Sequence, residues 1–307
     1  MSVALLFPGQ GSQFVGMGRE LARAFPESAR VFQEADDLLG VRLSHLAWEG
    51  PEEELTLTKN AQPALLVHSV AVLRVTRPRL GSVSMAAGHS LGEFTAHVAA
   101  GTLSFQDALQ AVRVRGELMF AAGVKRPGTM AAILGLEDEA VEAVCREVQA
   151  GGKVCVPANF NSSGQVVISG EVEGVEQGMA LARESGARRA VSLTVSGAFH
   201  SPLMSYAVEG LREKLSEINF SDPQFPVISN VTAEPVVVGS RARDLLVEQL
   251  TAPVRWSASV ERMTSLGAER FLELGAGSVL CGLNKRNARG LPCVSLGSPS
   301  DLDALEA

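Results

Sequence analysis

Gly88-His89-Ser90-Leu91-Gly92, preceded by the small apolar run Val83 to Ala87 and followed by a helical pattern from Glu93, constrains this chain more than any other stretch. A strand that turns into a helix across so few residues places the intervening serine on a tight elbow. Its Oγ then projects from the backbone, and the next N–H, at the helix N-terminus, faces any oxyanion that develops there. The two glycines let strand and helix approach each other, and a larger residue at either place should clash. This form is a nucleophile elbow, which predicts an α/β fold built on a parallel sheet. A plain strand-turn-helix joint with a capping serine has the same local pattern, so the pentapeptide alone leaves catalysis open.

The chain on either side alternates strands and helices as such a fold requires. Val3 to Phe7 reads as a short buried strand running into the loop Pro8-Gly9-Gln10-Gly11-Ser12-Gln13, the kind of strand-end loop where α/β sheets meet ligands. It is not a dinucleotide fingerprint, because Phe14 occupies the third glycine's place. Helical patterns follow at residues 17–25, 28–39, 61–75 and 104–122, with the acidic Pro51 to Glu54 as a solvated helix start. On the last of these helices Val112, Arg115 and Met119 share one face. An arginine on an inner face calls for a carboxylate or phosphate, although a structural ion pair or a snorkelling side chain would also fit.

From Pro127 the order becomes strand 129–134, helix 138–148, strand 154–161, strand 165–169, helix 175–184 and strand 189–195. That β-α-β-β-α-β sequence predicts a ferredoxin-like small subdomain over residues 127–197. It interrupts a larger hydrolase-like domain made of residues 1–126 and 198–307, whose sheet resumes at 227–229 and 270–274 with helices at 244–250 and 257–265. His200 follows the insert in a turn rich in Gly, Ser and Pro, the best setting for chemistry among the five histidines. His45, His68, His89 and His97 are assigned to packing or helix roles.

Composition excludes several function classes. A net charge of −7, from 27 basic and 34 acidic residues, argues against nucleic acid and anionic membranes as partners. No apolar run reaches the ~18 residues of a membrane span, and the start lacks the form of a signal peptide, so a cytoplasmic protein is expected. Cys145, Cys155, Cys281 and Cys293 are scattered in apolar settings and read as buried free thiols, with neither a disulfide nor a metal site.

Taken together, Phe7-Pro8-Gly9-Gln10-Gly11-Ser12-Gln13, Gln62-Pro63-Ala64, Gly88-His89-Ser90-Leu91-Gly92-Glu93, Arg115-Gly116, Asn159-Phe160-Asn161, Gly197-Ala198-Phe199-His200, Gln249-Leu250, Pro253-Val254-Arg255-Trp256 and Glu273-Leu274-Gly275-Ala276-Gly277 resemble the malonyl-CoA:acyl carrier protein transacylases. These enzymes of fatty acid synthesis share their pattern with the acyltransferase domains of polyketide synthases. The matches span essentially the whole chain in the family's order, with Ala276 standing where many relatives have proline. The resemblance implies that Ser90 is the nucleophile, His200 its general base, and Gln249 the group that orients the imidazole through a carbonyl oxygen. It further implies that the N–H groups of Gln10 and Leu91 form the oxyanion hole and that Arg115 grips the malonyl carboxylate. Gln62, Asn159 and Asn161 would line or support the pocket, and Phe199 would fill the space a methylmalonyl branch needs. Malonyl-CoA and an acyl carrier protein are the implied substrates, without a cofactor; the sequence carries no signal of oligomeric state, and a monomer is the default expectation. Acidic carriers need a cationic patch, for which Arg188 and Arg189 or Lys285, Arg286 and Arg289 are candidates. A serine hydrolase or thioesterase shares the elbow, base and oxyanion hole, but it has no use for Arg115.

Overall fold

In the computed structural model, which describes residues 2–302, the strands are β1 (Val3–Phe7), β2 (Val83–Gly88), β3 (Thr129–Leu134), β4 (Cys155–Ser162), β5 (Gln165–Gly170), β6 (Arg189–Ser192), β7 (Val227–Ile228), β8 (Pro235–Val236), β9 (Arg270–Leu274) and β10 (Cys293–Leu296). Every residue of β1 is buried, as befits the centre of a sheet covered on both faces. The first sheet runs β10-β9-β1-β2-β7-β8, parallel throughout except for the β7–β8 pair. Leu5 and Phe7 face a core shared with the helices Thr58–Thr76, Gly92–Ala99 and Phe105–Lys125, whereas Ala4 and Leu6 face Trp256, Val260 and Phe271. The strand's period of two thus divides the two helical layers. No helix of the described residues is long and apolar enough to cross a membrane.

The second sheet, β4-β5-β3-β6, is antiparallel and packs the helices Asp138–Ala150 and Val172–Glu184 around Ile133, Val144, Val166 and Ile168. β6 stops at Ser192, earlier than the pattern to Val195 predicts: Leu193 N–H still donates to Met130 O of β3 at 2.9 Å, and Leu193 to Val195 form part of a cavity wall. The edge strand β4 is tied to the larger sheet's side of the molecule. Val254 N–H donates to Ala158 O at 2.8 Å and Phe160 N–H to Val254 O at 2.9 Å, so the Pro253-Val254-Arg255 stretch acts as an extra strand on an otherwise open edge.

β1 and β2 end together, with Phe7 opposite Gly88, so the loops that follow them leave the sheet side by side. A Cβ at Gly88 would lie 1.9 Å from the carbonyl carbon of Gly92, and one at Gly92 would lie 2.1 Å from Phe7 O. Backbone cannot yield by that much, so the elbow needs both glycines.

The cysteines require a correction. Cys281 and Cys293 form a disulfide, with Cα atoms 5.3 Å apart, while Cys145 and Cys155 are free and buried. The helix Val279–Asn287 packs back on β9 and β10 and brings Cys281 against the start of β10. That tertiary return has no counterpart in the spacing of the two residues along the chain.

Candidate active site

Ser90 lies just beyond β2 with φ 51°, a left-handed conformation that costs a non-glycine residue about 1–3 kcal/mol. Its surroundings hold it there. The Ser90 N–H donates to Asn230 Oδ1 at 2.7 Å, Asn230 Nδ2 donates to Gly88 O at 2.7 Å, and Gln249 Nε2 donates to Ser90 O at 3.1 Å. His200 is left-handed too, at φ 56°. The two strained residues meet, with Ser90 Oγ 2.8 Å from His200 Nε2.

His200 Nδ1 is 2.9 Å from the backbone oxygen of Gln249. A carbonyl can only accept, so Nδ1 carries the hydrogen and Nε2 is left to accept the serine proton. Gln249 follows directly after the helix Gly239–Glu248, where the terminal carbonyls have no helical partner and are free for the imidazole. Burial, followed by the nearby Arg115 charge, pulls the His200 pKa down to about 3, against a smaller upward effect of the Gln249 carbonyl. The ring is therefore neutral at physiological pH.

Arg115, on the helix Phe105–Lys125, is fully buried. Nη1 donates to Gln62 Oε1 at 2.7 Å, while Nη2 donates to Gln249 Oε1 at 2.9 Å and to Ser90 Oγ at 3.1 Å. The guanidinium carbon lies 5.7 Å from the Phe94 ring centre. A directly bound carboxylate or phosphate, the partner its inner-face position suggests, is replaced by three neutral oxygens. Nε has no hydrogen-bond partner among the described residues. Burial lowers the Arg115 pKa to about 10, with the charge of Glu93 acting the other way, so the cation persists at neutral pH.

A cavity of about 350 Å³ opens over Ser90 and His200. Gln10 and Leu91 form part of its wall, as do Gln62, Asn159 and Phe199. Asn161 stands behind this lining and receives His89 Nε2 at 2.8 Å, and the His89 ring packs on Trp256. Asn287 Nδ2 in turn donates to Asn161 O at 2.8 Å. His68 is buried and bonded to Gly297 O, and His97 is buried with neither ring nitrogen paired among the described residues. Arg188, Arg189, Lys285, Arg286 and Arg289 are all exposed, in two groups well apart in sequence.

Two members of this site escaped the sequence reading. Asn230, at the end of the β7 segment, braces the elbow, and Glu93, three residues past Ser90, is a fully buried carboxylate. Asn230 follows a strand that neighbours β2, a position at the ligand-facing end of the sheet that could have drawn attention to it.

The family model for the acyl transferase domain matches residues 4–298. The chain is 47% identical over 301 residues to a malonyl CoA-acyl carrier protein transacylase of Bacillus subtilis, covering 98% of this chain and 95% of that protein. The enzyme of the same name from Escherichia coli is 45% identical over 302 residues, with 98% and 97% covered. Among solved structures, a malonyl-transacylase in complex with its type II PKS acyl-carrier protein superposes with a TM-score of 0.96 at 44% identity, covering 100% of this chain and 99% of that one. An acyl carrier protein S-malonyltransferase from Vibrio cholerae superposes at 0.95 and 44% identity, with 99% and 100% covered. A serine hydroxyl, a neutral imidazole and a buried guanidinium converge on one cavity within a chain that matches over almost its whole length, and the chain belongs to the acyl transferase domain family of enzymes.

Proposed function

We propose that the chain transfers a malonyl group from malonyl-CoA to the phosphopantetheine thiol of an acyl carrier protein through an ester on Ser90. The observation that carries this reading is the 3.1 Å contact between Arg115 Nη2 and Ser90 Oγ. A cation this close to the attacking oxygen selects an acyl group whose carboxylate lies one carbon beyond the reacting carbonyl. A carboxylate on Arg115 then brings the thioester carbon to Ser90.

In the first half-reaction His200 Nε2 takes the hydroxyl proton as Oγ attacks the thioester carbon, and the N–H groups of Gln10 and Leu91 receive the oxyanion. The carbon–sulfur bond breaks, and CoA leaves as its thiol with the proton from His200. In the second, the carrier thiol gives its proton to His200 and attacks the ester, and Ser90 recovers its hydrogen. A backbone carbonyl fixes the imidazole tautomer without stabilising imidazolium as a carboxylate would, which suits an ester that must wait for a thiol.

The incoming carboxylate also prepares the base. Ionised, it is a stronger acceptor than the Ser90 hydroxyl oxygen that Arg115 Nη2 now holds, so it displaces that contact and releases a Ser90 lone pair. It neutralises the charge that depresses His200, raising the basicity of the imidazole when the correct acyl group is present. Initial-rate kinetics with malonyl-CoA and a holo carrier protein test the reading. Parallel ping-pong lines with transfer far outpacing hydrolysis support it, and release of free malonate at the same rate with or without carrier points to a hydrolase instead.

Phe199 lies in the cavity wall next to His200 and takes the volume that an α-methyl on the substrate would need. Phe199→Ser raises the methylmalonyl-CoA to malonyl-CoA ratio of kcat/KM by about tenfold, on the scale of one methyl group's steric conflict. An unchanged ratio removes the steric argument. The exposed cations Arg188 and Arg189, or Lys285, Arg286 and Arg289, are the candidate docking surfaces offered to an acidic carrier. In this reading the enzyme works as a monomer in the cytoplasm, to be checked by light scattering and by fractionation.

A further inference from the structure

We propose that Glu93 is a positioning residue for Arg115, acting through the Gln249 side chain, and that its charge competes with the acyl carboxylate for the same guanidinium. The inference rests on Arg115 being the receptor for that carboxylate.

The geometry is a relay. Glu93 Oε2 accepts from Gln249 Nε2 at 2.6 Å and from the Asn230 N–H at 3.2 Å. Gln249 Oε1 in turn accepts from Arg115 Nη2 at 2.9 Å. An amide whose nitrogen is committed to a carboxylate has only its oxygen to offer on the other side. Glu93 therefore sets which end of Gln249 meets Arg115. With the amide reversed, N–H donors would face N–H donors between two fully buried side chains, leaving those groups unpaired. The same residue supplies the backbone carbonyl that holds His200 and the Nε2–H that reaches Ser90 O, so one carboxylate bears on all three groups of the reaction.

The charge argument is independent of orientation. All the direct partners of Arg115 are neutral, and Glu93 is the anion that acts on it from behind the amide. Glu93 Oε1 is buried without a well-formed hydrogen bond, although the Ser229 hydroxyl lies near enough to favour the ionised form weakly. A malonyl group brings a second carboxylate to one cation in a dry interior, where two like charges disfavour each other. Proton uptake by Glu93 relieves that conflict, and burial already pushes its carboxyl up to about 7. Of the groups packed around it, Arg115 is charged, and Asn230, Ser229 and Gln249 are neutral hydrogen-bond donors. The other titratable members of the site are His200, whose pKa of about 3 keeps it neutral across this range, and His89, whose pKa burial lowers.

Loading of Ser90 by malonyl-CoA and by acetyl-CoA at concentrations well below saturation, followed by rapid quench from about pH 6 to about pH 8.5, isolates the effect, because ionisation of His200 in the free enzyme and of the CoA phosphates cancels in the ratio of the two second-order rate constants. The malonyl-to-acetyl ratio in the unaltered enzyme falls about fivefold or more as pH rises through 7. Glu93→Gln keeps an acceptor for Gln249 and removes the charge, so its ratio stays at the low-pH plateau at every pH, while Glu93→Asp retains the pH dependence. A ratio far above one but independent of pH in the unaltered enzyme, or a pH dependence that survives in Glu93→Gln, overturns the role of Glu93 and leaves Arg115 as receptor. A ratio near one at all pH values overturns both. If Glu93→Gln does not fold, the unaltered enzyme and Glu93→Asp still decide, since a flat profile in either contradicts the proposal.

Discussion

Replacing His200 with alanine slows malonyl transfer by about a thousandfold or more, because among the described residues Ser90 Oγ is bonded to His200 Nε2, which can take its proton, and to a guanidinium, which cannot. The neighbouring donor, Arg115 Nη2, already gives a hydrogen to that oxygen and holds its own protons to a pKa of about 10. Single-turnover loading by quench distinguishes this from a folding defect, since KM for malonyl-CoA should change little while the acylation rate collapses. Ser90→Ala removes the covalent step altogether, and combining the two changes adds little to either alone, as expected for groups that act as a unit. A double variant much slower than each single one would mean that the hydroxyl and the imidazole work independently.

Arg115→Ala has the second largest effect, and its signature is selectivity. Losing the guanidinium removes about 2–5 kcal/mol from the malonyl transition state, a fall of roughly 30-fold to several thousandfold in kcat/KM. Acetyl-CoA brings no carboxylate, so its kcat/KM should hold or rise once the depressing charge beside His200 is gone. The two parameters are read side by side from initial rates. A parallel loss for both substrates would reduce Arg115 to a structural brace for Gln62 and Gln249.

How far the chain could be read before its coordinates follows from what each signal depends on. β1 and β9 occupy the residues their apolar runs predict, and the elbow follows from glycine spacing, since these are local properties. β8 and β10 were missed: β8 is two residues long and starts at a proline, and β10 opens at a cysteine after a loop, so neither carries a periodic pattern. The disulfide escaped for the same reason that its helix did, because pairing Cys281 with Cys293 depends on how one helix returns to a sheet edge. Within the site, Ser90, His200, Arg115 and Gln249 come together from distant segments, and family motifs name them without showing how they touch. The hydrogen bond from the Arg115 fork to the serine itself, and the partition of Gln249 between backbone and side-chain tasks, are matters of tertiary geometry alone. Glu93 lies within the elbow motif, which by itself assigns it no task. Ser-x-x-Glu at a helix start has the form of an ordinary capping box, which would turn the carboxylate back toward the helix N-terminus rather than inward to Gln249.

The central claim is that position 90 carries the acyl group between donor and acceptor. Intact-protein mass spectrometry after brief mixing with malonyl-CoA alone, with peptide mapping, tests it most directly. The account predicts one malonyl adduct on Ser90 that disappears on adding a holo carrier protein and reappears on the carrier's phosphopantetheine arm. An enzyme that transfers malonyl at full rate without ever bearing that adduct, or bears it on another residue, would contradict it.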